Sequence, residues 1–158
     1  NNKIVLLNVS SSETRKNYEL LLGKINKLSK NFHVIKVGKL KNESSKNNKK
    51  ITLINWVSED MLNKLYKVSD IYLDTSIFEG FGRTKVEAQI NRTPVMCLNT
   101  KINREILGNS AVFYEKKNFE EKIFFTLKNK NFYKKKGYQN SKKFLPEKNK
   151  KVVLESFN

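Results

Sequence analysis

The segment Ile4 to Leu7 is a continuous apolar run rather than an alternating one, and a helical pattern follows it. A strand buried on both faces of a parallel sheet reads this way, because helices cover both sides of such a sheet. The same order then recurs. Tyr18, Leu21, Leu22, Ile25 and Leu28 fall at helical spacing after Asn17, and His33 to Val37 reads as the next strand. Gly38 to Lys50 is polar and aperiodic, as expected of an exposed connection, and Ile51 to Ile54 is a short strand. Ser58 suits an N-cap, with Glu59 and Asp60 in the first turn of a helix carrying Met61, Leu62, Leu65 and Val68 on one face. Strands are expected at Ile71 to Leu73, Pro94 to Leu98 and Ala111 to Tyr114, and helices at Thr84 to Asn91 and Asn103 to Leu107. Further helices are expected near Asn118 to Lys128, Asn131 to Phe144 and Pro146 to Phe157. This alternation predicts an α/β, Rossmann-like three-layer sandwich, with a parallel sheet of about six strands between helical layers.

The chain has 158 residues, 38% of them hydrophobic, which suits a single domain over residues 1–158 with C-terminal helices over 131–158. A formal net charge of +17 directs attention to nucleic acid, an anionic membrane surface or a phosphorylated ligand. The charge is mostly lysine; arginine occurs only at Arg15, Arg83, Arg92 and Arg104. Base and phosphate recognition lean on the forked geometry of arginine, so a solvated lysine surface is favoured over nucleic-acid binding. A lone cysteine, Cys97, excludes an internal disulfide and falls in an apolar strand, where a small core residue is expected. No apolar stretch approaches the ~18 residues of a membrane span and no leader pattern opens the sequence, which leads to the expectation of a cytoplasmic protein.

In an open parallel sheet, ligands bind beyond the carboxyl ends of the strands, so the loops after Leu7, Ile54, Leu73 and Leu98 are expected to face a site. The loop after Leu73 contains Gly80 and Gly82 immediately before a helix. Free backbone N–H groups and the positive end of the helix dipole make such a turn an anion site, with phosphate its natural occupant. A Gly-x-Gly pair alone is more often structural. Here it lies between Glu79 in the loop and Glu87 about one turn into the helix, so amide donors for a phosphate are flanked by carboxylate acceptors for hydroxyl groups.

With these residues the chain resembles the retaining, Leloir-type glycosyltransferases of family 4, which have the GT-B fold and a Glu-x7-Glu motif. The resemblance continues through Val86-Glu87-Ala88, Thr93-Pro94-Val95 and Glu105. Upstream it includes Asn55-Trp56-Val57-Ser58-Glu59, Leu65-Tyr66, Asp70, and Arg15-Lys16-Asn17 followed by Leu20-Leu21-Leu22. It implies the donor-binding, C-terminal half of a GT-B enzyme, with the N-terminal acceptor domain absent from the chain. The expected reaction moves a hexose from a UDP- or GDP-sugar to a hydroxyl acceptor with retention, in glycan, glycolipid or polysaccharide synthesis. The chain alone is expected to bind nucleotide at best.

The resemblance also implies roles. Lys16 contacts the donor pyrophosphate, with Arg15 a further candidate cation. Phe81, Gly82, Arg83 and Thr84 offer amides to the phosphates, and Val57 meets the base through its main chain. Glu87 accepts from the ribose hydroxyls, and Glu79, the residue placed at the catalytic centre, holds hydroxyls of the transferred sugar. Trp56 is expected in the core or a pocket wall, and His33 in a structural role. No cofactor or metal is expected, since the sequence has neither an Asp-x-Asp pair nor a cluster at ligand spacing. The expected partners are the nucleoside diphosphate sugar, the missing domain and, through a lipid-linked acceptor, a membrane surface.

Three departures stand out. Val9 and Ser10 occupy places where the family often has Gly-Arg, so a cation is lost there unless Arg83 or Arg15 replaces it. Arg92 replaces a small residue before Thr93-Pro94, and Lys101-Ile102-Asn103 replaces a Gly-rich stretch. These leave open a non-catalytic or epimerase relative of the fold. A basic module for nucleic acid or anionic membrane is the other alternative, suggested by Lys134-Lys135-Lys136, Lys142-Lys143 and Lys150-Lys151. Against nucleic acid, Phe132, Tyr133, Phe144 and Leu145 fall at spacings that fit helix faces turned to a core.

Overall fold

The computed structural model describes residues 3–29, 31–40 and 48–145. The helix expected at Pro146 to Phe157 and the Lys150-Lys151 pair lie outside the described residues. The six strands are β1 (Ile4–Val9), β2 (Phe32–Val37), β3 (Ile51–Ile54), β4 (Ile71–Asp74), β5 (Val95–Leu98) and β6 (Val112–Tyr114). The helices are α1 (Tyr18–Lys27), α2 (Glu59–Val68), α3 (Arg83–Ile90), α4 (Lys101–Leu107), α5 (Phe119–Lys128) and α6 (Lys130–Ser141). All pairings are parallel, in the order β3-β2-β1-β4-β5-β6. The chain therefore reverses its direction of travel between β1 and β4, the crevice where an open α/β sheet binds ligands.

Two cores flank the sheet. On one face Leu6, Val34, Leu73 and Met96 pack with Leu21 and Ile25 of α1 and Phe119 and Ile123 of α5. On the other, Leu7, Tyr72, Val95 and Cys97 pack with Tyr66 of α2, Val86 and Ala88 of α3, and Ile106 and Leu107 of α4. Burying a side chain such as Leu21 contributes about 1.5–3 kcal/mol, so the periodic stripe of α1 fixes which way that helix lies. The expected N-cap is present: Ser58 Oγ accepts from Met61 N at 3.3 Å, a contact of about 1 kcal/mol.

Helix α6 crosses to the second face and packs on α3. Asn140 Nδ2 donates to Gln89 Oε1 at 2.9 Å, while Gln89 Nε2 donates to Ser110 Oγ at 2.8 Å. The chain then brings Phe144 edge-on to Phe81, ring centroids 5.1 Å apart. A loop of the candidate site is thus braced from the far end of the domain.

Trp56 is 78% exposed and lines a cleft, which is the pocket-wall alternative of the two expected for it. The core-facing spacing expected of Phe132 and Leu145 needs correction. Phe132 is 51% exposed, set edge-on to Tyr133 and under the Lys136 ammonium; Leu145 is also exposed. With lysines spread around α6, spacing alone did not determine which stripe meets the core. Arg92 has φ +57°, the left-handed region that favours glycine. Its guanidinium lies 4.1 Å from the centroid of the Tyr138 ring, a contact that offsets part of the backbone cost. His33 donates or accepts at Thr52 Oγ1 near the amino end of β2, at the opposite end of the sheet from the loops described next.

Candidate donor site

Gly82 opens α3 with φ +76°. A Cβ there would lie 2.5 Å from the Cε and Nζ of Lys85, so glycine is required both by backbone conformation and by the lysine folded beneath it. The loop before α3 is anchored by Asp74 at the carboxyl end of β4, whose Oδ1 accepts from Ser76 N at 3.0 Å and Ser76 Oγ at 2.6 Å. Asp74 Oδ2 accepts from Lys85 Nζ at 2.6 Å, in a fully buried pair. Lys85 N donates to Gly82 O at 3.0 Å, which closes the first turn of α3.

The Glu79 carboxylate sits at the centre. Lys16 Nζ donates to Oε1, and Arg15 Nη1 donates to Oε2 at 3.1 Å. Burial alone would raise the Glu79 carboxyl. The Lys16 hydrogen bond, the charges of Lys85 and Lys16, and a hydrogen bond from Ser76 outweigh it and hold the group below its ordinary range. Arg15 and Lys16 come from a 3-10 turn, Thr14–Lys16, which is tied to the Glu79 loop by Ile77 N to Arg15 O at 2.8 Å and Thr75 Oγ1 to Lys16 O at 2.8 Å. Arg15 also grips Glu13 through Nε and Nη2, and this pairing, with Ser11, lowers the Glu13 carboxyl to about 2.

Two clefts meet at Arg15, Lys16 and Thr84. A cleft of about 430 Å³ is lined by those residues with Glu79, Phe81, Gly82 and Arg83. A larger one, about 620 Å³, runs along Val9, Ser10, Val37 and Gly38 to Trp56 and Val57. Charged groups concentrate in the first, and the second combines an aromatic and aliphatic wall with polar loops. A phosphate-bearing group suits the one and a flat heterocycle the other. Glu87, a turn below Thr84, accepts from Tyr66 Oη at 3.1 Å. Burial, then the Glu87 charge and hydrogen bond, push the Tyr66 phenol far up, so it stays a donor that fixes the carboxylate.

The structure thus gathers Arg15, Lys16, Glu79, Phe81, Gly82, Arg83 and Thr84 around one cleft, with Val57 on the adjoining one. Arg83 is exposed, at the rim. Sequence reasoning missed the loop after β2, where Gly38 and Lys39 line the larger cleft, while the loop after Leu98 contributes to neither. Gly38 directly after a strand was the readable signal. Lys36 and Lys85, both buried, were also missed; a lysine inside an apolar pattern is the mark they leave. Among the described residues there is no group of three or more His, Cys, Asp or Glu placed to hold a metal ion, and no helix long and apolar enough to cross a membrane.

Residues 1–143 match the family of glycosyl transferases group 1, and the chain belongs to that family. The fold is that of solved GT-B enzymes. The pneumococcal O-GlcNAc transferase GtfA, in complex with UDP and GlcNAc, superposes with a TM-score of 0.80 at 19% identity, over 99% of this chain and 37% of that one. Anabaena Alr3699/HepE in complex with UDP gives 0.81 at 15% identity, over 99% and 49%. Sucrose-phosphate synthase from Thermosynechococcus elongatus gives 0.76 at 14% identity, over 89% and 41%. The chain therefore spans less than half the length of these structures. No curated protein sequence matches it.

Proposed function

We propose that this chain is the donor-binding half of a retaining hexosyltransferase that uses a UDP- or GDP-sugar and a hydroxyl acceptor in glycan, glycolipid or polysaccharide synthesis. The observation that carries the reading is the Glu79 carboxylate held by Lys16 and Arg15 at the mouth of α3. Both cations are engaged by a single carboxylate, and a diphosphate is the competing anion that fits the same donors. When it binds, Lys16 and Arg15 turn to the phosphates and Glu79 is released to the sugar hydroxyls.

In transfer, the bond from sugar C1 to the diphosphate oxygen breaks, the bond to the acceptor oxygen forms on the same face, and the acceptor's hydroxyl proton passes to the departing diphosphate. Negative charge grows on the leaving diphosphate, against the cleft lined by Lys16, Arg15 and Phe81 to Thr84; donation from the two cations and from the loop amides would then be strongest in the transition state. With this many positive groups, the diphosphate charge is met without a metal. The larger cleft takes the base against Val57 and Trp56, and Glu87 takes the ribose hydroxyls. The acceptor belongs to a second domain, and without it this chain binds donor but does not turn it over.

Calorimetric titration with UDP, GDP and ADP tests the reading. One of the three is expected to bind, and Glu87→Ala to weaken it about tenfold, as for loss of hydrogen bonds to a charged group. Failure of all three to bind the folded protein would sink the donor-site reading.

A further inference from the structure

Three lysines converge beneath the carboxyl ends of the central strands. Lys16 is paired with Glu79 and Lys85 with Asp74; Lys36 has no carboxylate partner among the described residues. It is fully buried in β2, with Nζ donating to the carbonyls of Ser10 at 2.5 Å, Val37 at 2.9 Å and Gly38 at 3.3 Å. Those three residues all line the larger cleft. The ammonium therefore lies one backbone layer below the cleft floor. The packing is close: Gly38 has φ +111°, and a Cβ on it would overlap the Ser10 carbonyl and lie 3.2 Å from Lys36 Nζ.

We propose that Lys36 is the positioning cation of the donor cleft, an ammonium whose three hydrogen bonds hold the Ser10, Val37 and Gly38 backbone beneath the diphosphate of a bound nucleotide, and whose charge that diphosphate stabilises, so that donor binding around and above pH 8 takes up a proton from solvent. This rests on the donor-site reading above. Its place answers the loss of a cation at Val9-Ser10, since Lys36 reaches the Ser10 carbonyl from below.

The groups facing Lys36 leave it poised. In register, β1 sets Asn8 beside it and β3 sets Leu53, neither charged. The turn after β1 presents Lys16, and Lys39 follows in the outgoing loop of β2. Burial, with the charge of Lys16 adding to it, lowers the amine to about 8. A carbonyl cluster stabilises the ammonium but does not neutralise it. An anion arriving above supplies the missing charge and favours protonation.

Calorimetry of UDP and GDP binding at pH 8, in buffers of different ionisation enthalpy, reads the proton directly. Uptake of up to about half a proton per nucleotide is expected for the wild type, and affinity should fall by up to about tenfold per pH unit above 8. Lys36→Met should bind more weakly at pH 7 and take up no proton. Lys36→Arg, which stays charged, should bind without uptake or pH dependence across this range. Nucleotide binding with the same proton count in wild type and Lys36→Met would overturn the inference and leave the donor site standing. No binding of either nucleotide by the wild type would overturn both.

Discussion

Lys85 Nζ lies 2.6 Å from Asp74 Oδ2, with both side chains buried directly beneath the Gly82 turn. Removing one member leaves an uncompensated charge in the interior, so Asp74→Leu or Lys85→Met alone should cost about 3–5 kcal/mol. The double substitution should recover most of that loss. Gly82→Ala acts on the same unit from above, forcing a left-handed alanine against the lysine, and should destabilise as well as empty the anion site. Denaturant unfolding of the four proteins in a double-mutant cycle checks the coupling; additive costs would contradict it.

The Glu79 pairing should be visible in stability against pH. Its folded-state carboxyl is held below the ordinary glutamate value of 4.5. The stabilisation is thus fully present above that value and is lost as pH falls through the lower folded-state value. Thermal unfolding of the wild type and Glu79→Gln should show a constant gap from neutral pH down to about 4.5, closing below it. A gap that closes between pH 7 and 6 would rule out this origin.

Tyr66 acts through Glu87. Tyr66→Phe removes the phenol that donates to Glu87 Oε2 at 3.1 Å and keeps the ring packed on Tyr72. A stability loss of about 1–2 kcal/mol is expected. If Glu87 holds the ribose, the variant should weaken UDP several-fold while leaving 2′-deoxy-UDP little changed. Equal losses for the two ligands would separate Glu87 from the ribose.

The fold was legible because parallel strands and their covering helices leave local marks: the apolar run at Ile4, the stripe of α1, the Ser58 cap. The Glu79 to Glu87 loop was legible for the same reason, since glycines, acids and a helix start lie within nine residues of sequence. What was hidden depends on distant partners. Lys85 is buried because Asp74 waits on β4, and Lys36 because three carbonyls from two strand ends converge on it. Arg92 tolerates a left-handed backbone through Tyr138, and Phe81 is braced by Phe144. Phe132 was misplaced because helical spacing says that a side chain has a face, not which neighbour covers it.

The donor site stands or falls on the proposed grip of Lys16 and the loop from Glu79 to Glu87 on the diphosphate of a nucleotide. Its most direct test is the affinity of UDP, with uridine as the control lacking phosphate, for the wild type and Lys16→Ala. The wild type should bind UDP far more tightly than uridine, and Lys16→Ala should weaken UDP about tenfold or more while leaving uridine unchanged. UDP affinity that is indifferent to Lys16, or no stronger than that of uridine, would contradict the claim.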